Sequence, residues 1–152
     1  MAIEIGDEAP DFDLVGPNFK PVRLSDFRGT PVALVFYPFS FTSVCGAELC
    51  RLRDDYAKFE NAGLQVLAVS CDAPGAQRAW SEQQNYQFPL LSDFWPHGAA
   101  ARRYGVFDDG LGYAKRATFF IDESGRVVDR FGSDELRTPR APERYDEALT
   151  RL

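Results

Sequence analysis

The chain alternates continuous apolar runs with amphipathic stretches. The runs at 32–37 and 64–70 are rich in β-branched residues, which is typical of strands covered on both faces of a parallel sheet. Between them, apolar residues recur at steps of three to five from Val44 to Phe59, which predicts a helix that ends before Gly63. Strand, helix and strand together predict a βαβ unit with a right-handed crossover.

Shorter elements surround this unit. They are a peripheral N-terminal hairpin at 12–15 and 22–24, helices at 75–84 and 96–104, an extended piece at 88–91, a second hairpin at 118–122 and 126–131, and a final helix from 145 to 152. The second hairpin is expected to supply two edge strands. The fold class is therefore α/β: a three-layer sandwich with a mixed central sheet, helices on both faces and an N-terminal hairpin, in one domain over residues 1–152.

Charge and hydropathy narrow the possible partners. Seventeen Lys and Arg residues against 23 Asp and Glu give a formal charge of −6, which repels nucleic acid and anionic lipid. The longest apolar run, Val32 to Tyr37, is far shorter than the ~20 residues of a membrane helix. The first residues lack the basic and apolar regions of a signal peptide. We expect a cytoplasmic protein that binds neither nucleic acid nor membranes.

Three cysteines, Cys45, Cys50 and Cys71, cannot be fully paired within the chain, and a reducing compartment keeps thiols reduced unless their chemistry is redox or metal binding. Their spacing is not that of zinc ligands, so the sequence predicts no metal and no cofactor. Cys45 lies where a central strand leads into a helix, which is where open α/β sheets place their sites. First-turn amides and the helix dipole stabilise a thiolate there. The alternative is a cysteine that only packs in a turn.

The residues before Cys45 form a specific motif. Pro38, Thr42 and Cys45 are spaced as proline, three residues, threonine, two residues, cysteine. This octet resembles the active-site signature of the peroxiredoxins, which are thiol peroxidases with a thioredoxin-like fold. The residues at 93–98, DFWPHG, resemble the alkyl hydroperoxide reductase E type within that family. Further segments that carry the resemblance, up to about Phe131, are 6–12, 24–29, 88–106 and 115–119.

The resemblance implies that the protein reduces hydrogen peroxide and organic hydroperoxides. Cys45 would be the peroxidatic nucleophile that becomes a sulfenic acid. Thr42 and the backbone N–H groups of Val44 and Cys45 would hold the peroxide oxygens. Arg116 would stabilise the thiolate and the transition state, and Pro38 would keep water from the sulfenate. The implied partners are peroxides, a thioredoxin-, mycoredoxin- or glutaredoxin-like thiol reductant, and a second copy in a homodimer.

Glu48 lies one helical turn after Cys45. A bare carboxylate there would oppose the thiolate. If Glu48 points inward, we expect it to pair with an arginine and orient it. The alternative is a solvated glutamate on the outer face of the helix.

Cys50 matches the resolving cysteine of the bacterioferritin comigratory protein branch, a position where the reductase E type commonly has no cysteine. Five residues of α-helix separate the Cα atoms of Cys45 and Cys50 by roughly 8.5 Å. A disulfide requires less than about 7 Å. A resolving role therefore requires the first helical turns to unwind, which Gly46 would ease. The alternative is that Cys50 only packs on the helix.

Other side chains have simpler interpretations. Cys71, at a strand end, is expected to pack rather than react. A Cys–His hydrolase could use His97, but peroxide chemistry needs no base. A thiol–disulfide oxidoreductase is disfavoured because Glu48 occupies the fourth position of a Cys-x-x-Cys motif. A redox sensor that uses Cys45 oxidation as a signal is the main alternative function. The candidate dimer face consists of the aromatic residues Phe39, Phe41, Phe94 and Trp95.

Overall fold

A mixed seven-stranded sheet is the centre of the computed structural model, which describes residues 3–152. The strands are β1 (Asp13–Val15), β2 (Pro21–Arg23), β3 (Val32–Phe36), β4 (Gln65–Ser70), β5 (Leu90–Ser92), β6 (Phe107–Asp108), β7 (Tyr113–Ala114), β8 (Arg116–Ile121) and β9 (Val127–Ser133). The helices are α1 (Ser43–Asp54), α2 (Tyr56–Asn61), α3 (Pro74–Gln84), α4 (Ala99–Arg103) and α5 (Glu143–Leu149). The strand order is β2-β1-β5-β4-β3-β8-β9, and β6 and β7 form a separate ribbon.

The sheet is covered on both faces, which confirms the predicted three-layer sandwich. Alternate residues of β3 and Tyr37, which follows it, enter two different clusters: Val32, Leu34 and Phe36 on one face, and Ala33, Val35 and Tyr37 on the other. Helix α4 packs on the first face. Helices α1, α2, α3 and α5 pack on the second. Strands β3 and β4 run parallel, as the βαβ pattern predicts, and β5 runs parallel to β4.

Strand β8 lies between β3 and β9, so the prediction that both strands of the second hairpin are edge strands is wrong for β8. Its register with β3 is antiparallel and places Ala117 opposite Phe36. All six residues of β8 are buried. A run that is apolar on both faces is favoured in the sheet interior, where both its faces and both its edges are covered. Arg116, the first residue of β8, therefore lies beside the end of β3.

Several element boundaries differ from the prediction. The helix expected over 44–59 is divided at Asp55, whose ψ of 7° leaves helical geometry. The helix expected over 96–104 begins only at Ala99, because Gly98 has a left-handed φ of 73°. The final helix ends at Leu149. The ribbon of β6 and β7 was not predicted, since strands of two residues have no readable periodicity. The N-terminal hairpin and α3 are confirmed, and β1 joins the sheet through β5.

Within residues 3–152, no helix combines the length and the apolar character needed to cross a membrane.

Candidate active site

Cys45 is the third residue of α1, directly after the loop that follows β3. The side chain is almost fully buried, at 1% exposure. The first hydrogen bond of the helix runs from Gly46 N to the Thr42 carbonyl at 2.8 Å. The N–H groups of Val44 and Cys45 come before that bond, so they are first-turn donors. The sulfur therefore lies at the positive end of the helix dipole.

Arg116 contacts the Cys45 sulfur. Its Nη1 lies 3.2 Å from Sγ, and the Arg116 residue is 3% exposed. Its Nε donates to the carbonyl of Leu136 at 2.8 Å, which fixes the other side of the guanidinium. The register between β3 and β8 places the strand end that carries Arg116 beside the strand end that leads to Cys45. The Cys45 sulfur therefore faces a buried, permanently charged hydrogen-bond donor.

Glu48 points inward, where Arg116 Nη1 donates to its Oε1 at 2.5 Å. The side chain is only 9% exposed, so it is not a solvated glutamate on the outer face. Burial by itself would raise the pKa of Glu48, but hydrogen bonds and charge from Arg140, with the charge of Arg116, lower it overall. Glu48 is therefore ionised at neutral pH and contacts the guanidinium that contacts Cys45.

Arg140 is a charged residue of this site that the sequence interpretation missed. Its backbone N and Nε donate to Glu48 Oε2 at 2.7 and 3.0 Å, and Nη2 donates to Oε1 at 3.0 Å. Its Nη1 donates to the Phe36 carbonyl at 2.7 Å and to Thr118 Oγ1 at 3.2 Å. Arg140 lies in a polar segment after β9, and no periodicity or spacing there distinguishes it from a surface arginine.

Thr42 and Pro38 lie in the loop between β3 and α1. Thr42 is the N-cap residue of α1, and its hydroxyl donates to the Phe39 carbonyl at 2.8 Å. The Thr42 oxygen keeps lone pairs that can accept a further hydrogen bond. Pro38 is buried. The structure brings Cys45, Arg116 and Glu48 into one contact cluster and places Thr42 at the exposed entrance to the helix.

A partly buried aspartate, also missed from the sequence, holds this loop. Asp72 Oδ2 accepts from Ser40 N at 2.8 Å and from Ser70 Oγ at 2.6 Å. Phe41 has a left-handed φ of 62°, which is strained for a bulky residue. The Phe41 ring packs 6.0 Å from the Trp80 ring. The loop therefore has a defined conformation supported from two sides.

The other two thiols lie in different surroundings, and all three cysteines are free. Cys50 Sγ is 3.4 Å from Gln84 Oε1 and 3.6 Å from Tyr86 Oη, in the same intact helix as Cys45. Cys71 is buried just after β4. Burial raises the pKa of Cys71 to about 12, with a further contribution from the negative charge of Asp93. Cys71 is therefore a protonated thiol at neutral pH.

His97 Nδ1 faces the Phe94 carbonyl at 3.1 Å, and Nε2 faces the Gly112 carbonyl at 2.7 Å. Both ring nitrogens are thus engaged with backbone, away from any role as a base for Cys45.

The four residues of the candidate dimer face expose large aromatic surface. Their exposures are 39% for Phe39, 55% for Phe41, 48% for Phe94 and 82% for Trp95.

The sheet is thioredoxin-like, and the buried cysteine at the start of a helix is in contact with an arginine. This is the arrangement of a thiol-dependent peroxidase. Comparison with known proteins agrees with this class. The AhpC/TSA family model matches residues 5–130, and the chain belongs to that family, the peroxiredoxins. It is an enzyme that reduces peroxides with thiol chemistry.

Relatives and solved structures extend this result. The chain is 46% identical to alkyl hydroperoxide reductase E of Mycobacterium tuberculosis (strain ATCC 25618 / H37Rv), over 99% of this chain and 98% of the relative. It is 36% identical to the putative peroxiredoxin bcp of Haemophilus influenzae, over 89% and 90%. The crystal structure of peroxidoxin BcpB from Mycobacterium tuberculosis superposes with a TM-score of 0.85 at 32% identity, covering 98% of this chain and 96% of that chain. The resemblance found in the sequence is confirmed.

Proposed function

We propose that this enzyme reduces hydrogen peroxide and organic hydroperoxides through Cys45 and is regenerated by a thioredoxin-, mycoredoxin- or glutaredoxin-like thiol. The observation that carries the proposal is the contact of 3.2 Å between Arg116 Nη1 and Cys45 Sγ at the start of α1. The relative named alkyl hydroperoxide reductase E, 46% identical over nearly the whole chain, supports alkyl hydroperoxides as substrates.

The reaction is a displacement at oxygen. The Cys45 thiolate attacks one peroxide oxygen, the O–O bond breaks, and the other oxygen leaves as hydroxide or alkoxide, which takes a proton from solvent. Sulfur is oxidised to the sulfenic acid while the peroxide is reduced by two electrons. Negative charge spreads over sulfur and both oxygens in the transition state. Donors fixed in place before the reaction stabilise that charge.

The neighbouring groups have distinct roles in this proposal. The N–H groups of Val44 and Cys45 and the Thr42 hydroxyl hold the peroxide oxygens. Arg116 donates to the sulfur and to the oxygen under attack, and its planar fork suits two acceptors at once. Glu48 orients Arg116 through the 2.5 Å hydrogen bond.

Pro38 has a shielding role. It is buried in the loop after β3, and it contributes no N–H group that would attract water to the sulfenate. The sulfenic acid therefore persists long enough to meet a thiol.

Cys50 is the proposed resolving cysteine. Its thiol would attack the Cys45 sulfenic sulfur, a disulfide would form, and the hydroxyl would leave as water. The external dithiol then reduces the disulfide. Because both cysteines occupy α1, this step requires the helix to unwind between them. Cys71, protonated and buried, is proposed to have a packing role only.

The decisive experiment adds one equivalent of peroxide to wild type and to Cys45→Ser, Cys50→Ser and Cys71→Ser, and locates oxidation by mass spectrometry. Loss of fast peroxide consumption in Cys45→Ser alone is the expected result, and retention there refutes the nucleophile. A disulfide that is lost in Cys50→Ser supports the resolving role. Sulfenic acid that persists in wild type assigns regeneration to the external thiol without Cys50. Cys71→Ser should behave as wild type.

Turnover separates the enzyme from a redox sensor. With excess peroxide and a thioredoxin-like reductant, a peroxidase consumes many equivalents per chain. A sensor that signals through Cys45 oxidation consumes one equivalent and stops.

The assembly and location are also proposals. We infer a homodimer that forms through the aromatic residues at 39, 41, 94 and 95, since their exposed apolar surface is unusual for a monomer. We infer a cytoplasmic location, since the chemistry requires a reduced thiol pool. Residues 1–152 are proposed to act as one domain.

A further inference from the structure

We propose that Thr118 and Tyr145 are positioning residues, whose hydroxyl groups hold Arg140 against Glu48 and thereby set the reactivity of Cys45. This inference rests on the proposed function of Cys45 and extends it to two buried hydroxyls that the proposed mechanism does not use. The path runs from Cys45 through Arg116, Glu48 and Arg140.

Thr118 stands at the junction of this path. It lies two residues after Arg116 on β8, so both side chains project from the same face of the sheet. Its Oγ1 accepts from Arg140 Nη1 at 3.2 Å and lies 2.9 Å from Tyr145 Oη. Thr118 is 0% exposed, Arg140 4% and Tyr145 8%. Hydrogen bonds between groups this deeply buried are not replaced by water.

The hydroxyl of Thr118 fixes the plane of the Arg140 guanidinium. Glu48 accepts from Nε and Nη2, while Nη1 donates to the Phe36 carbonyl of β3 at 2.7 Å and to Thr118 of β8. The two acceptors for Nη1 come from adjacent strands. Without the Thr118 oxygen, only the Phe36 carbonyl restrains that end of the fork.

Arg140 lies beside an open cleft. A cavity of about 210 Å³ lies against Glu48, Arg140 and Tyr145. Its apolar walls include Leu52 and Phe59. The Arg140 side chain is nevertheless only 1% exposed, and four side-chain hydrogen bonds, to Glu48, Phe36 and Thr118, hold its guanidinium.

Tyr145 supports the Thr118 hydroxyl from α5. Three aromatic rings surround the ring of Tyr145. The distance between ring centroids is 4.8 Å to Phe131 and 6.0 Å to both Phe59 and Phe120. Replacing Tyr145 with Phe therefore removes the hydroxyl while the ring remains in its cluster. In this molecule the hydroxyl can be tested separately from the packing.

The test measures the rate of Cys45 oxidation by hydrogen peroxide in a single turnover. Thr118→Val, which keeps the shape and removes the oxygen, should react about tenfold more slowly, as expected for loss of a hydrogen bond to a charged group. Thr118→Ser restores the oxygen and should return the rate to within about twofold of wild type. Tyr145→Phe should be slower than wild type, and the double variant no slower than Thr118→Val, since both hydroxyls act through one contact.

Tyr104→Phe is the matched control. Its hydroxyl donates to the Pro10 carbonyl, and its ring packs in the cluster on the opposite face of the sheet. It should react at the wild-type rate. If the Tyr104→Phe variant is oxidised slowly, or if Thr118→Ser is oxidised as slowly as Thr118→Val, the variants have lost structure in general. Either result overturns the proposal. A Thr118→Val variant that is oxidised at the wild-type rate also overturns the proposal. Thermal unfolding monitored by circular dichroism verifies that each variant is folded.

Alkylation of Cys45 by iodoacetamide gives a readout that does not require peroxidase activity. A displaced Arg116 stabilises the thiolate less, so Thr118→Val should alkylate more slowly and Thr118→Ser should recover. Equal alkylation rates for Thr118→Val and wild type overturn the positioning role. If wild type is inert to peroxide, the proposed function fails, and the alkylation rates still decide whether Thr118 positions Arg140.

Discussion

Arg140 donates three hydrogen bonds to Glu48 across 92 positions of sequence. The carboxylate also accepts from Arg116, so one buried negative charge is shared by two buried positive charges. The three groups together carry a net charge of +1 beside the Cys45 sulfur. The proposed mechanism places a negative charge beside this cluster, because the nucleophile reacts as a thiolate.

Replacing Glu48 with Gln should destabilise the fold by about 3 kcal/mol at pH 7, because two guanidinium groups then remain buried without their carboxylate partner. The pKa of Glu48 is lowered in the folded protein relative to its ordinary value of 4.5. Its stabilising effect is therefore fully present above that value and is lost as pH falls through the lower folded value. Urea unfolding between pH 3 and pH 7 measures both effects.

The control for Glu48 is Glu82→Gln. Glu82 forms an exposed i,i+4 pair with Arg78, and its side chain is 70% exposed. Its loss should cost about 0.5 kcal/mol or less. The buried ion cluster predicts that Glu48→Gln is less stable than this control and that its stability difference from wild type shrinks in acid. Failure of either result contradicts the prediction.

Cys71 should resist alkylation in the native protein. Its pKa is raised to about 12 from 9.0, mainly by burial, so the thiolate is a very small fraction at pH 8. Iodoacetamide followed by mass spectrometry should modify Cys71 slowly in the folded chain and rapidly in urea, where burial is lost. Native Cys71 that reacts as fast as Cys71 in urea would show that the thiol is not held in this environment.

Gly132→Ala should disturb the strand that carries Arg116. A Cβ at Gly132 would lie 2.3 Å from the Arg116 carbonyl oxygen, so β9 must move away from β8. We expect a loss of about 2 kcal/mol of stability and slower oxidation of Cys45. Gly75→Ala is the control, because a Cβ there meets no atom within 4 Å and alanine favours helix α3. Equal behaviour of the two variants in unfolding and peroxide assays refutes the prediction.

A disulfide between Cys45 and Cys50 should unwind the start of α1. Hydrogen exchange measured by mass spectrometry should show protected amides from Gly46 to Cys50 in the reduced protein and fast exchange after one equivalent of peroxide. Cys50→Ser should keep the protection after oxidation. Exchange that stays slow in oxidised wild type, with the disulfide present, would mean that the helix bends rather than unwinds.

Trp95→Glu should weaken the proposed dimer. The indole is 82% exposed, and a charge at that position opposes burial of the aromatic face. Sedimentation velocity should show wild type as a dimer and the variant shifted to monomer. Glu143→Lys, a charge reversal at an exposed residue of α5, is the control and should remain dimeric. A monomeric wild type at the same concentration refutes the interface.

The sequence predicted the parts of the fold that depend on local pattern. The runs of β3 and β4 are apolar on both faces, and α1 has a helical period, so the βαβ unit and the position of Cys45 follow from them. The position of β8 inside the sheet depends on long-range pairing, and the hairpin pattern alone made it appear peripheral. The separate ribbon of β6 and β7 is too short for any period.

The same distinction holds for the site. Arg116 follows from its position before an apolar strand and from the family resemblance. Arg140 and Asp72 could not be predicted, because each is charged, lies outside a periodic element, and joins the site through partners far along the chain. A single sequence shows no difference between such a residue and a solvated one.

The span between Glu48 and Arg140 also bears on how the chain folds. Their contact closes a loop of 92 residues, and closing so long a loop costs entropy that local contacts do not. The sheet must place β3 beside β8 before the two residues can meet. A partly folded chain can therefore contain a formed α1, with its thiol exposed, while it still lacks the charged groups that make the thiol react selectively with peroxide. Misfolded or newly made copies would then be vulnerable to indiscriminate thiol oxidation rather than protective against it.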